Sequence, residues 1–156
     1  MKMQDEEFGR IIAATPLVSI DLIVRNAQGQ VLLGFRRNRP ACGTWFVPGG
    51  RIRKNERLRE ALARIARVEL GTEVHNGHLL GAFDHLYEDN ALGLSGIDTH
   101  YVALGYACEL APGASLQPDQ QHTELRWWDL DALLASEEVH VNTKRYFEEV
   151  GENGLG

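Results

Sequence analysis

Cysteine is scarce in this chain of 156 residues, with only Cys42 and Cys108. Two thiols exclude a disulfide scaffold, and their spacing fits no metal-ligand pattern. A reducing cytoplasm suits such a chain. No apolar run approaches the roughly 18 residues of a membrane span. The first ten residues, MKMQDEEFGR, are acidic and lack the apolar core of a secretory leader. Repeats and interdomain linkers are absent from the sequence. Hydrophobic residues at 44% and charged residues at 24% are ordinary for a globular protein and exclude a disordered tail. The length predicts one domain over 1–156.

An excess of positive charge is missing too. The formal net charge is −6, which argues against a nucleic-acid-coating protein. The distribution is uneven. Between Arg36 and Arg67 lie ten of the sixteen basic residues, opposed only by Glu56 and Glu60. A local basic island in an acidic chain points to a small anionic ligand such as a phosphate. A solvated, arginine-rich helix face would give the same count.

Periodicity predicts the elements. Residues 4–14 read as a short helix stopped by Pro16. Leu17 to Val24 reads as a strand with Val18, Ile20, Leu22 and Val24 on one face and Ser19 and Asp21 on the other. After the turn at Asn26 to Gly29, Val31 to Phe35 forms its hairpin partner. Trp45 to Val47 is a short strand ended by Pro48-Gly49-Gly50, and 51–54 is a brief strand. Glu56 to Leu70 is the strongest helix, closed by Gly71. Strands follow at 78–88 and 99–110, separated by a flexible stretch from Glu88 to Asp98. On the second of these, Ala103, Gly105 and Ala107 share a face where small side chains leave room. Leu125 to Trp128 is a strand, and short helices follow at 130–135 and 142–149. The fold class is α/β (α+β), a mixed β-sheet sandwiched between helices.

The chemistry is concentrated in residues 50–72. Gly50, Glu56, Arg64, Glu69 and Gly71 stand in the register of G-x5-E-x7-R-E-U-x-E-E-x-G-U, where U is a bulky aliphatic. This segment resembles the Nudix box. A glycine turn lets backbone carbonyls approach an ion, and a helix carboxylate can complete a site for Mg²⁺, which prefers oxygen ligands. Arginines alongside bind phosphate oxygens in a fork geometry. Three positions depart from the pattern. Ile65 and Val68 stand where the family has glutamates, and Thr72 replaces the last aliphatic. Two of the three usual helix carboxylates are therefore missing.

That degeneracy resembles the GDP-mannose mannosyl hydrolases within the Nudix superfamily. The likeness includes Thr15-Pro-Leu-Val-Ser-Ile-Asp21, Trp45-Phe-Val-Pro-Gly-Gly-Arg51, His85 with Tyr87-Glu-Asp-Asn90, Thr99-His-Tyr101, Pro118-Asp-Gln-Gln121-His122, Val139-His-Val-Asn142 and Arg145-Tyr-Phe147. It implies a single Nudix domain that hydrolyses GDP-mannose, and GDP-glucose, to GDP and free sugar. Water attacks the anomeric carbon with inversion. One Mg²⁺ per site, replaceable by Mn²⁺, is held by the Gly49 carbonyl, Glu69 and Gln121. His122 is the general base. Asp21, Arg36, Arg51, Arg64, His85 and Tyr101 complete the set. Arg36 neutralises charge on departing GDP, His85 and Tyr101 contact sugar and pyrophosphate, and Arg51 and Arg64 brace the metal loop. The resemblance also implies a cytoplasmic homodimer with no nucleic-acid or membrane partner.

Two other functions fit the same residues: ordinary pyrophosphohydrolysis of a nucleotide sugar, and a degenerate Nudix fold that only binds nucleotides. Individual residues have plain alternatives. Asp21 is either at a cleft or exposed. Glu56 reads as an arginine partner rather than a ligand. His75, His78 and His140 read as structural or surface residues, Cys108 as core, and Trp127 and Trp128 as packing. Phe8, Phe35 and Tyr87 are candidates for stacking on a base.

Overall fold

A computed structural model describes residues 3–116 and 124–148. Its elements in chain order are α1 (Asp5–Ala14), β1 (Leu17–Val24), β2 (Val31–Phe35), β3 (Trp45–Phe46), β4 (Gly49–Arg51), α2 (Leu58–Leu70), β5 (Val74–Tyr87), β6 (Thr99–Leu110), β7 (Leu125–Trp128), α3 (Leu130–Ala135) and α4 (Val141–Glu148). One sheet runs β4-β1-β6-β5 and a second runs β3-β2-β7. β1 and β6 are parallel over Leu17–Val24 and Tyr101–Cys108. The other pairings are antiparallel, so the architecture is the expected mixed one.

The strand β1 is the spine. Ile20, Leu22 and Val24 face α2, where Ala61, Ile65, Ala66 and Leu70 close one core cluster. On the opposite face Ile23 joins Trp45, Phe83, Leu133 and Tyr146 in a second cluster, which draws in α3 and α4. From Ile20 to Val24 the strand is covered on both faces, so alternation there separates two interiors rather than inside from outside. Val18, expected on the apolar face, is 42% exposed and belongs to neither cluster.

Several expectations need correction. β1 and β2 do not form a hairpin. Among the described residues, the one ladder contact beside them is the isolated Arg25–Val31 bridge, although Leu22, Val24 and Leu32 share a core cluster. Both edges of β1 are taken, by β4 and β6, so β2 turns away to pair with β3 and β7. The glycine pair at 49–50 does not merely end a strand. Gly49 and Gly50 pair with Asp21 and Ile20, and 52–57 lies outside the strand. β5 starts at Val74, four residues earlier than read, because register shifts at His75/His78 and Leu79/Gly81 break its alternation. The stretch 88–98, expected to be flexible, is stapled by the fully buried Asn90. Its Nδ2 donates to the Leu94 and Ile97 carbonyls, both at 2.8 Å, and its Oδ1 accepts from the Leu92 and Leu94 amides.

Helix α2 ends as its sequence demands. Gly71 takes φ 71°, and its amide donates to the Arg67 carbonyl at 3.0 Å. The room left along β6 is also used. The Tyr146 ring from α4 lies on Gly105, close enough that a Cβ there would stand 2.6 Å from the ring.

Candidate functional site

A cavity of about 280 Å³ opens where β1, β4, β5 and β6 meet the loop after β2. Of the residues singled out from sequence, Asp21, Arg36, Gly49, Arg51, Glu69, His85 and Tyr101 line it. Arg64 does not. Its guanidinium grips Glu56 through two hydrogen bonds of 2.6 and 2.9 Å and donates to the Arg51 carbonyl at 2.8 Å. The hydrogen bonds from Arg64 hold the Glu56 carboxyl down at about 2, so Glu56 is an arginine partner. Gln121 and His122 lie outside the described residues.

Burial sets the electrostatics. The Asp21 side chain is 14% exposed. Desolvation pushes its carboxyl up to about 6, against the lowering effects of the Tyr146 hydrogen bond and Arg36. His85 is buried, which drives its pKa down to about 4 and leaves the imidazole neutral at working pH. Its Nδ1, 3.7 Å from Asp21 Oδ2, therefore forms no ion pair. Among the described residues its Nε2 is buried without a hydrogen-bond partner. Burial also raises the phenols of Tyr87, to about 12, and Tyr101. Arg36 lies over the Phe46 ring at 5.4 Å and donates to the Pro40 carbonyl. Such a pocket offers guanidinium groups for phosphate oxygens and neutral polar groups for hydroxyls.

The NUDIX domain model matches residues 15–150. The chain belongs to the Nudix family. It is 41% identical over 148 residues to the low-salt glycan biosynthesis protein Agl8 of Haloferax volcanii, covering 94% of this chain and 90% of that one. A MutT Nudix hydrolase from Burkholderia pseudomallei shares 27% identity with a TM-score of 0.71, over 87% of this chain and 98% of its own. The MutT protein of Methanosarcina mazei Go1 has the same fold at a TM-score of 0.71 and 24% identity, over 88% and 95%. Among the described residues, no helix is long and apolar enough to cross a membrane.

Nudix hydrolases generally use divalent metals such as Mg²⁺. Among the described residues, no three His, Cys, Asp or Glu side chains gather as a metal cluster. The box positions explain this. Ile65 is 1% exposed and sits against Gly50, with its Cγ1 3.2 Å from where a Cβ at 50 would stand. Val68 is 54% exposed. At Gly49 a side chain would strike Asp21 Oδ1 and the Ile20 carbonyl, so only a bare backbone fits at the cavity wall. A backbone carbonyl there and the Glu69 carboxylate are hard oxygen donors that suit Mg²⁺ with few protein ligands.

Phe46 had no role from the sequence, yet it lines the cavity together with the stacking candidate Tyr87, and His140, read as structural or surface, stacks on Phe46 with centroids 4.6 Å apart. Phe35 lines it too, whereas Phe8 does not and instead lies under Arg51 at 4.8 Å. The small-residue face of β6 was the one signal that a large partner such as Tyr146 had to arrive.

Asp21 yields a prediction with a definite sign. Its folded pKa is raised above the unfolded value, so ionising it costs stability. That cost is absent below about pH 4 and complete above about pH 6. Asp21→Asn is therefore expected to stabilise the metal-free protein by about 1 kcal/mol at pH 7. The gain should vanish at pH 4, and activity should fall. Thermal melts at both pH values check it; equal gains at both would show that ionisation is not the cause.

Proposed function

We propose that the protein hydrolyses GDP-mannose, and GDP-glucose as well, to GDP and the free sugar, by attack of water on the anomeric carbon with inversion. The observation that carries this reading is the buried Ile65 at a box position where the family has a carboxylate. Attack at phosphorus draws on several metals held by clustered carboxylates. Attack at the anomeric carbon passes through an oxocarbenium-like state and asks for a good leaving group and a modest base.

The roles follow. The Gly49 carbonyl, Glu69 and Gln121 would hold one Mg²⁺, with Mn²⁺ as a substitute; bound there, the ion supplies positive charge to the pyrophosphate. Arg36 neutralises charge on GDP as the C–O bond breaks, while Arg51 and Arg64 hold the loop in place. His122 takes the proton from the attacking water. Asp21, His85 and Tyr101 receive the sugar and pyrophosphate. The neutral His85 suits a hydroxyl better than an anion. The 41% likeness to a protein named for glycan biosynthesis supports a sugar-bearing substrate. The active form is a cytoplasmic homodimer.

Turnover of GDP-mannose in H₂¹⁸O tests the reading. The label should enter the sugar and not GDP, and the first sugar released should have inverted configuration. Label in a phosphate, or release of GMP and a hexose phosphate, would replace this reading with ordinary Nudix pyrophosphohydrolysis. The intact frame of Gly50, Glu56, Arg64 and Glu69 is the observation that favours this second reading.

A further inference from the structure

Tyr146 lies on α4, far from the box in sequence, and no part of the functional reading above uses it. Its side chain is 2% exposed. A buried tyrosine hydroxyl takes a hydrogen-bond partner, and this one donates to Asp21 Oδ2 at 2.7 Å, across 125 positions of chain. The ring is fixed on three sides. It lies on Gly105, meets the Phe83 ring edge-on at 4.6 Å, and meets His85 edge-on at 5.7 Å. Nothing in that packing asks for the oxygen, because a phenylalanine would fill the same volume.

The hydroxyl also faces an expensive partner. A largely buried carboxylate costs folding energy, and an apolar pair of similar shape is often the more stable choice. A local rule broken in this way marks a functional position. The geometry shows what the contact does. Asp21 Oδ2 is engaged by Tyr146, and Oδ1 stands over Gly49 at the cavity wall. One hydrogen bond from a ring that cannot swing fixes the rotation of the carboxylate and determines which oxygen the cavity receives.

We propose that Tyr146 is a positioning residue: its hydroxyl orients the Asp21 carboxylate so that Oδ1 accepts a hydrogen bond from a hydroxyl of the bound sugar. This rests on the reading of Asp21 as a residue that receives the sugar. It adds a second layer behind that residue, carried by the C-terminal helix.

The test is a double-mutant cycle of Tyr146→Phe and Asp21→Asn, read as kcat and KM for GDP-mannose and as affinity for GDP-mannose and GDP by calorimetry. Tyr146→Phe keeps the ring, and a thermal melt confirms the fold. It is expected to lower kcat about tenfold and to weaken GDP-mannose affinity about fivefold, the worth of one hydrogen bond to the sugar. GDP affinity should be unaltered, because GDP carries no sugar. In the Asp21→Asn background the same change should cost less than twofold. Equal losses in both backgrounds would overturn the inference, as would a loss of GDP affinity matching that of GDP-mannose. If the wild type binds GDP-mannose but cleaves it at phosphorus, the function fails alone and the affinity cycle still decides Tyr146. A wild type that does not bind GDP-mannose overturns both.

Discussion

Glu69→Gln is expected to lower turnover by at least about 10²-fold while the melting temperature stays close to wild type. In the proposed site the other two donors, the Gly49 carbonyl and the Gln121 side chain, carry no formal charge. Replacing the remaining carboxylate leaves a neutral set around a divalent ion that gives up its water reluctantly. A typical Nudix box with three helix carboxylates would spread the same loss. The fold should tolerate the change because glutamine keeps the size and shape of Glu69 at its half-buried place on the cavity wall. Activity measured across a Mg²⁺ titration checks it. Partial recovery at high Mg²⁺ fits a weakened ion site, and wild-type turnover at unchanged Mg²⁺ demand would remove Glu69 from the metal.

His122→Leu is expected to lower kcat by about 10²–10⁴, the usual contribution of a positioned acid–base group. An unperturbed imidazole titrates near 6.5, close to working pH, which suits a histidine to such a role. A pH–rate profile alone does not assign the base, because Asp21 titrates at about 6 in the same window. His85 is excluded from that window, since burial holds it at about 4. Imidazole rescue separates the remaining two. His122→Ala should lose as much rate as His122→Leu and regain part of it in added imidazole. A variant that keeps its rate, or a loss that imidazole does not relieve, would remove the role of base from His122.

α1 and α2 were legible because their apolar stripes repeat at helical spacing and because Pro16 and Gly71 punctuate them. β1 was legible as a strand but not as a neighbour of β6. Periodicity reports which face is buried and not which edge is paired, and a hairpin is the cheaper inference for two strands joined by a short turn. The Asn90 staple was hidden for a similar reason: glycines at 93 and 96 suggest freedom, whereas one buried amide removes it. At the site, Gly49, Glu69, Arg36 and Asp21 could be placed because a motif or a resemblance names them. Tyr146 falls within the quoted likeness but without a role, because its hydrogen bond spans 125 positions and resembles ordinary core packing from either end.

The two absent carboxylates of the box differ in how easily a mutation could restore them. Val68 is open to solvent, and a glutamate there would meet water at once. Ile65 is different. Its side chain belongs to the cluster that joins α2 to β1 and lies against the Gly50 backbone. A glutamate at 65 would put a charge where a methyl group now holds the helix to the sheet, with a penalty of several kcal/mol. A single reversion at 68 is therefore neutral ground, while the one at 65 requires compensating changes in the surrounding core first. One box position can therefore take a charge by itself, and the other only together with a rebuilt core.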